Sequence, residues 1–136
     1  MKDNLSLGKL VERIAAQYLS SQGYKIIEMN FHKRWGEIDI VAIDPSSPAG
    51  ATFDVAGESV QSTLVFVEVK TRMVGDRISP EESITTHKIN SLKKSALFYK
   101  MKHPELPEAL RIDFVGIEIN SDLKPQRVNL IKNISG

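Results

Sequence analysis

Apolar residues recur at two spacings along the 136-residue chain. Leu7, Leu10, Val11, Ile14, Ala15 and Tyr18 follow the helical repeat and Gly23 is a natural stop, which predicts a helix from about Leu5 to Ser21. Alternation at period two then takes over. It predicts strands over Tyr24–Met29, Gly36–Ile43, Leu64–Lys70 and Arg111–Ile119, and a weaker one over Arg127–Ile131. Asn30–Trp35 and Thr71–Arg77 read as loops. Ser79-Pro80-Glu81-Glu82 has the N-cap residue, proline and glutamate of a helix start. Thr85 or Thr86 opens a longer helix to about Lys102, with Ile89, Leu92, Ala96 and Tyr99 on its apolar stripe and Pro104 and Pro107 beyond its end. Phe98 and Met101 lie off that stripe, so cover on a second side of this helix is expected. Helix, three strands, helix, then one or two strands predicts an α/β fold, a central mixed β-sheet flanked by helices.

Two of these strands carry charge where a buried strand should not. Glu37, Asp39, Val41 and Ile43 share one face of the first; Leu64, Phe66, Glu68 and Lys70 share one face of the second. Antiparallel pairing with Ile43 opposite Leu64 sets Asp39 opposite Glu68, with Cβ atoms about 4.5–5.5 Å apart. Lys70 lies roughly 6.5–7 Å further along. Two carboxylates so close repel unless a cation lies between them, and a hard divalent ion, Mg²⁺ or Mn²⁺, suits that place. A ladder of ion pairs on a half-exposed sheet is the competing reading of the same residues. Glu12 falls at the edge of the buried stripe of the first helix and reads, by itself, as a surface glutamate whose stem covers apolar neighbours.

Composition narrows the class. Hydrophobic content of 41% and charged content of 26% are ordinary for a globular protein, and the length suits one domain over 1–136. The chain has no cysteine, which excludes a disulfide scaffold and a thiolate zinc site. No leader pattern is visible and no stretch reaches the roughly 20 apolar residues of a membrane span, so a cytoplasmic protein without a membrane partner is expected. The Pro-, Ser- and Gly-rich region at about 44–62 is expected to be a flexible insertion in the hairpin.

Net charge is only +1, yet from Lys70 to Lys102 eight bases stand against three acids. Arg72, Lys88, Lys93 and Lys94 in that segment, with Lys33 and Arg34 further upstream, are the expected contacts to a nucleic-acid backbone. Trp35 reads equally as a base-stacking surface or as a core anchor. His87 and His103 lack ligand spacing and read as structural or solvated.

An aspartate, a gap, then Glu-x-Lys at the end of an apolar strand is the core pattern of PD-(D/E)XK nucleases. Gly36-Glu37-Ile38-Asp39-Ile40-Val41-Ala42 followed by Val65-Phe66-Val67-Glu68-Val69-Lys70-Thr71-Arg72 resembles the YraN-like family of small bacterial proteins. That family is itself similar to archaeal Holliday-junction resolvases and restriction endonucleases. The likeness extends to Gly8, Glu12, Ala15, Tyr18-Leu19, Gly23-Tyr24 and Asn30, then to Pro80-Glu81-Glu82, Lys88 and Arg111-Ile112-Asp113-Phe114-Val115. It departs in the longer 44–62 region and in Val11, where a glycine is usual before the helix glutamate.

The resemblance implies a restriction-endonuclease-like core. It implies metal binding by Asp39 and Glu68, completed by Glu12, with Lys70 positioning or helping to activate the attacking water. Together these imply a Mg²⁺-dependent endonuclease acting on DNA, branched DNA included, for which a homodimer would suit a two-fold junction. The same fold can equally serve as a non-catalytic nucleic-acid-binding or assembly module.

Overall fold

In the computed structural model, which describes residues 6–45 and 62–135, Ser6 caps the first helix by accepting the Lys9 N–H at 3.2 Å. This helix, α1 (Leu7–Ser21), buries Val11, Ala15 and Leu19, a stripe at spacing four, and stops where Gly23 takes a left-handed φ of 96°. The remaining elements are β1 (Lys25–Lys33), β2 (Gly36–Asp44), β3 (Thr63–Met73), a 3-10 turn (Pro80–Ser83), α2 (Thr86–Lys102), β4 (Ala109–Ile119) and β5 (Pro125–Ile131). Among the described residues the strands form one mixed sheet in the order β1-β2-β3-β4-β5. Only β3 and β4 run parallel, and their crossover carries α2.

Each helix closes one face. Val11, Ala15 and Leu19 pack with Ile40, Ala42, Val65, Val67, Val115 and Ile117; on the other face Ala96 and Tyr99 of α2 pack with Val41, Leu64 and Phe66. This is the helix-flanked mixed sheet that the pattern predicts, and it is consistent with a restriction-endonuclease-like core. A Cβ at Gly36 would collide with the buried Ser95 side chain, so the glycine is what lets α2 close on the hairpin.

Several boundaries differ from the sequence reading. The strand expected to end at Met29 continues through Lys33, pairing Phe31 with Ile38, His32 with Glu37 and Lys33 with Gly36 around a turn at Arg34–Trp35. The cause is a change of face. Asn30 adopts φ 55°, and Ile38 and Ile40, which should share a face, pack into the cores on opposite sides of the sheet. Alternation therefore breaks in mid-strand. β3 also outruns its expected end, with Thr71, Arg72 and Met73 paired to Ile117, Glu118 and Ile119. The Ser79–Glu82 signal yields a single 3-10 turn, with Glu82 Oε2 accepting the Ser79 N–H at 2.9 Å. Of the two α2 residues off the stripe, Phe98 is covered in part by Trp35, with ring centres 5.0 Å apart, whereas Met101 is 73% exposed.

Asp44, expected to open the insertion, is instead the buried last residue of β2; positions 46–61 lie outside the described residues. Its burial follows from an ionic network at the start of β4. Arg111 donates to Asp44 Oδ2 at 2.7 Å and to Asp113 Oδ1 at 2.8 Å, while the Tyr24 hydroxyl donates to Asp113 Oδ2 at 2.7 Å. The Asn133 N–H donates to Asp113 Oδ1 at 2.9 Å, so both oxygens of this wholly buried carboxylate are satisfied, the condition under which a buried charge is tolerated.

Candidate active site

β2 and β3 pair in the register read from face alternation. Ile43 faces Leu64, and the ladder runs down to Ile40 opposite Val67. Beyond that pair the two strands part. β2 continues with β1 and β3 continues with β4, and the Asp39 carboxylate bridges the fork, accepting the Val69 N–H through Oδ2 at 2.8 Å. A side chain thus satisfies a β3 donor that a strand partner would otherwise take. Asp39 and Glu68, the residues just past the last pair, have carboxyl groups in hydrogen-bonding contact.

Burial raises both acids. For Glu68 the charge of Asp39 adds to burial and pushes the carboxyl up to about 7, while Lys88, with Nζ 3.3 Å from Glu68 Oε2, opposes the rise. Burial raises Asp39 as well, but the Val69 N–H and Lys88 hold it back. The two carboxyls titrate as one pair, both above the usual carboxylate range.

Glu12 of α1 is raised by burial and then by the field of Asp39, with His32 and Lys9 opposing. It feels the pair electrostatically; among the described residues no three His, Cys, Asp or Glu side chains converge as a metal-ligand set. Glu12 and Lys70 line one cavity of about 290 Å³, together with Gly8, Val11, Val69, Thr71 and Arg72. The Thr71 Oγ1 is buried without a hydrogen-bond partner, the kind of atom that a bound water satisfies.

The expected phosphate contacts do not form one track. Arg72 lies beside Glu12 and Lys70 and donates to the Thr71 carbonyl at 3.2 Å. Lys33 and Arg34 are at the β1–β2 turn, and Lys94 is exposed on α2. Lys93 lines a separate cavity that includes Arg111. Lys88 is engaged with Glu68. Trp35 is half-buried against Phe31 and Phe98, with ring centres 5.3 and 5.0 Å away. His103 stacks on Tyr99 at 4.1 Å, and His87 is exposed.

A family profile described as "Uncharacterised protein family UPF0102" matches residues 11–117. The chain belongs to the UPF0102 family. A UPF0102 protein of Syntrophomonas wolfei is 40% identical over 114 residues, spanning 84% of this chain and 85% of that protein. Others from Geobacter metallireducens and Marinobacter nauticus are 37% and 35% identical, over 88% and 93% of this chain and 85% and 89% of their own lengths. The YraN-like resemblance is thus borne out at the level of this family, and the matched span of the UPF0102 profile takes in Glu12, Asp39, Glu68, Lys70 and Lys88.

The sequence reading gave Thr71 no role, and it took Lys88 as a phosphate contact without its pairing to Glu68. Thr71 carried no signal. Lys88 did: its N–H is capped by Thr85 Oγ1 at 3.1 Å, which puts it in the first turn of α2, a turn with no acidic residue. A cation there opposes the helix dipole, so a compensating anion such as Glu68 was to be looked for.

Proposed function

We propose that this UPF0102 chain is a metal-dependent endonuclease that hydrolyses DNA phosphodiester bonds, with branched DNA among its substrates. One observation carries the reading: two half-buried carboxyls meet at a fork in the sheet, both raised by burial and Glu68 further by the charge of Asp39, with one ammonium against them. A structural ion ladder sets opposite charges face to face. Here like stands beside like at a cost to folding, as at sites tuned for chemistry. The Asp39…Glu68-x-Lys70 pattern on a helix-flanked mixed sheet further supports a PD-(D/E)XK relationship.

The donor set fits Mg²⁺ or Mn²⁺, which are commonly held by one or two carboxylates with water and substrate oxygens completing the shell. Asp39 and Glu68 would hold the ion, and Glu12 would add negative charge from α1. When bound, the ion supplies charge stabilisation at the phosphate and a more acidic water. Lys70 would orient that water or stabilise charge growing on the phosphate oxygens. Lys33, Arg34, Arg72, Lys93 and Lys94 would hold backbone phosphates, and a homodimer would match a two-fold junction. The test is cleavage of linear, flapped and four-way-junction DNA with Mg²⁺ or Mn²⁺. Activity that survives both Asp39→Ala and Glu68→Ala overturns the reading.

The Lys88–Glu68 contact favours a second reading, a non-catalytic nucleic-acid-binding module in which the ammonium takes the place of the metal. Isothermal titration with Mn²⁺ separates the two: a site on the wild type that disappears in Glu68→Ala supports the nuclease, and no site supports the module.

A further inference from the structure

The β1–β2 turn and the C-terminal end of α2 enclose a second cavity, of about 520 Å³, lined by Glu28, Phe31, Lys33, Trp35, Lys102 and His103. It shares no lining residue with the cavity at Glu12 and Lys70. Its size is that of small-molecule sites, which run from about 300 to 1,000 Å³. Phe31 and Trp35 present neighbouring rings with centres 5.3 Å apart, and Trp35 stays half-buried although it packs on Phe31 and Phe98. Lys33 and Lys102 are exposed. Glu28 is half-buried, and its Oε1 accepts the Tyr99 hydroxyl at 2.8 Å; no other hydrogen bond or ion pair reaches it among the described residues.

These features select a ligand chemistry. A bare anion would meet the Glu28 carboxylate. An apolar peptide would bury a carboxylate oxygen without a donor, which costs free energy. What suits all the groups is a flat ring that stacks on aromatic faces, offers an amino donor to a carboxylate, and trails anionic charge toward two lysines. Aromatic side chains stack bases of any kind, and glutamate reads an exocyclic amine such as the cytosine N4 group.

We propose that this cavity takes one unpaired, amino-bearing base, adenine or cytosine, of a single-stranded or branched nucleic acid. The base stacks on Trp35 and Phe31, Glu28 accepts from its exocyclic amine, and Lys33 and Lys102 hold the flanking phosphates. The inference deepens the nucleic-acid reading and rests on it for the class of ligand, but not on catalysis. Trp35 precedes Asp39 by four residues, at most about 14 Å of chain. Lys102 beside the cavity and Lys88 beside Glu68 stand at opposite ends of α2, roughly 21 Å apart, so a strand whose base enters the cavity reaches the carboxylate pair within a few nucleotides.

Trp35 is the chain's single tryptophan, so intrinsic emission reports on this cavity alone. The experiment titrates the metal-free protein with dA8, dC8, dT8 and AMP, and follows Trp35 quenching. The expected result is quenching by dA8 and dC8, with dC8 binding about tenfold more tightly than dT8 and dA8 at least about tenfold more tightly than AMP. In Glu28→Gln the dC8 preference should fall to within about twofold of dT8. Lys102→Ala should weaken all oligomers alike and lower the salt slope by about one. No quenching, equal affinity of the wild type for dC8 and dT8, AMP binding as tight as dA8, or a preference that survives Glu28→Gln each overturns the proposal. Asp39→Asn and the cleavage assay run in parallel. Quenching kept where cleavage is lost or never seen supports the base pocket independently of the nuclease reading, and cleavage by a protein that shows no quenching removes the pocket alone.

Discussion

Replacing Glu68 with glutamine should make the protein more stable at pH 8 and leave it nearly unchanged at pH 4.5. A carboxyl raised from 4.5 to about 7 costs the folded state about 3 kcal/mol once it ionises. Its side chain is only 14% exposed, so solvent screening removes little of this. The folded chain holds this proton more tightly than the unfolded chain, so between pH 4.5 and about 7 it binds more protons and its stability falls as pH rises. Glutamine abolishes that loss, and the attraction of Lys88 for the ionised carboxylate is already contained in the net rise to about 7. The expected gain is about 3 kcal/mol above pH 7, or roughly 12 °C in Tm for a chain of this length. The assay is thermal melting of both proteins by circular dichroism from pH 4.5 to 8.5, read as the difference so that other titrations cancel. Added Mg²⁺ at pH 8 should narrow the gap by stabilising the wild type only. A variant less stable than wild type by a constant margin at every pH would show that the folded state does not raise the Glu68 carboxyl.

Three further outcomes are expected. Lys70→Met should abolish single-turnover cleavage while metal affinity holds or tightens, because a cation near the pair opposes a second one; lost DNA affinity with an unchanged rate at saturating protein would refute the role. Gly36→Ala should cost about 1–3 kcal/mol by forcing Ser95 and α2 away from the hairpin, read as a lower urea midpoint at constant slope. Arg111→Met should cost about 3–5 kcal/mol, since it leaves the buried Asp113 and Asp44 without their guanidinium; a loss under about 1 kcal/mol would mean that Tyr24, Lys132 and the Asn133 N–H suffice.

What could be read from the chain was what repeats. The β2–β3 register follows from alternation alone, because slipping by one residue would exchange Leu64 and Phe66 with Val65 and Val67 between two cores of different shape. The helices are legible from their caps and stripes. The polar end of β1 was not, because a left-handed Asn30 reverses the faces in mid-strand and Asn30, His32 and Lys33 then look like a loop. Asp44 looked like the start of a Pro-Ser insertion because its partner, Arg111, is distant in sequence. Lys88 looked like a contact for backbone phosphate, because its partner Glu68 is also distant in sequence. Local pattern carries the frame, whereas pairings across long sequence separations carry the polar detail.

At position 39 two selections coincide. The carboxylate oxygen that accepts the Val69 N–H holds the hairpin open, whatever else it does. Asparagine would keep that acceptor and drop the charge, whereas at position 68 folding itself favours loss of the charge. On the proposed endonuclease reading, a lineage that gave up cleavage would shed Glu68 first and gain stability by doing so, and it would keep an oxygen at 39. Among distant relatives, then, an aspartate at 39 records the geometry of a hairpin. A glutamate at 68, which folding alone would discard, is the better sign of the proposed chemistry.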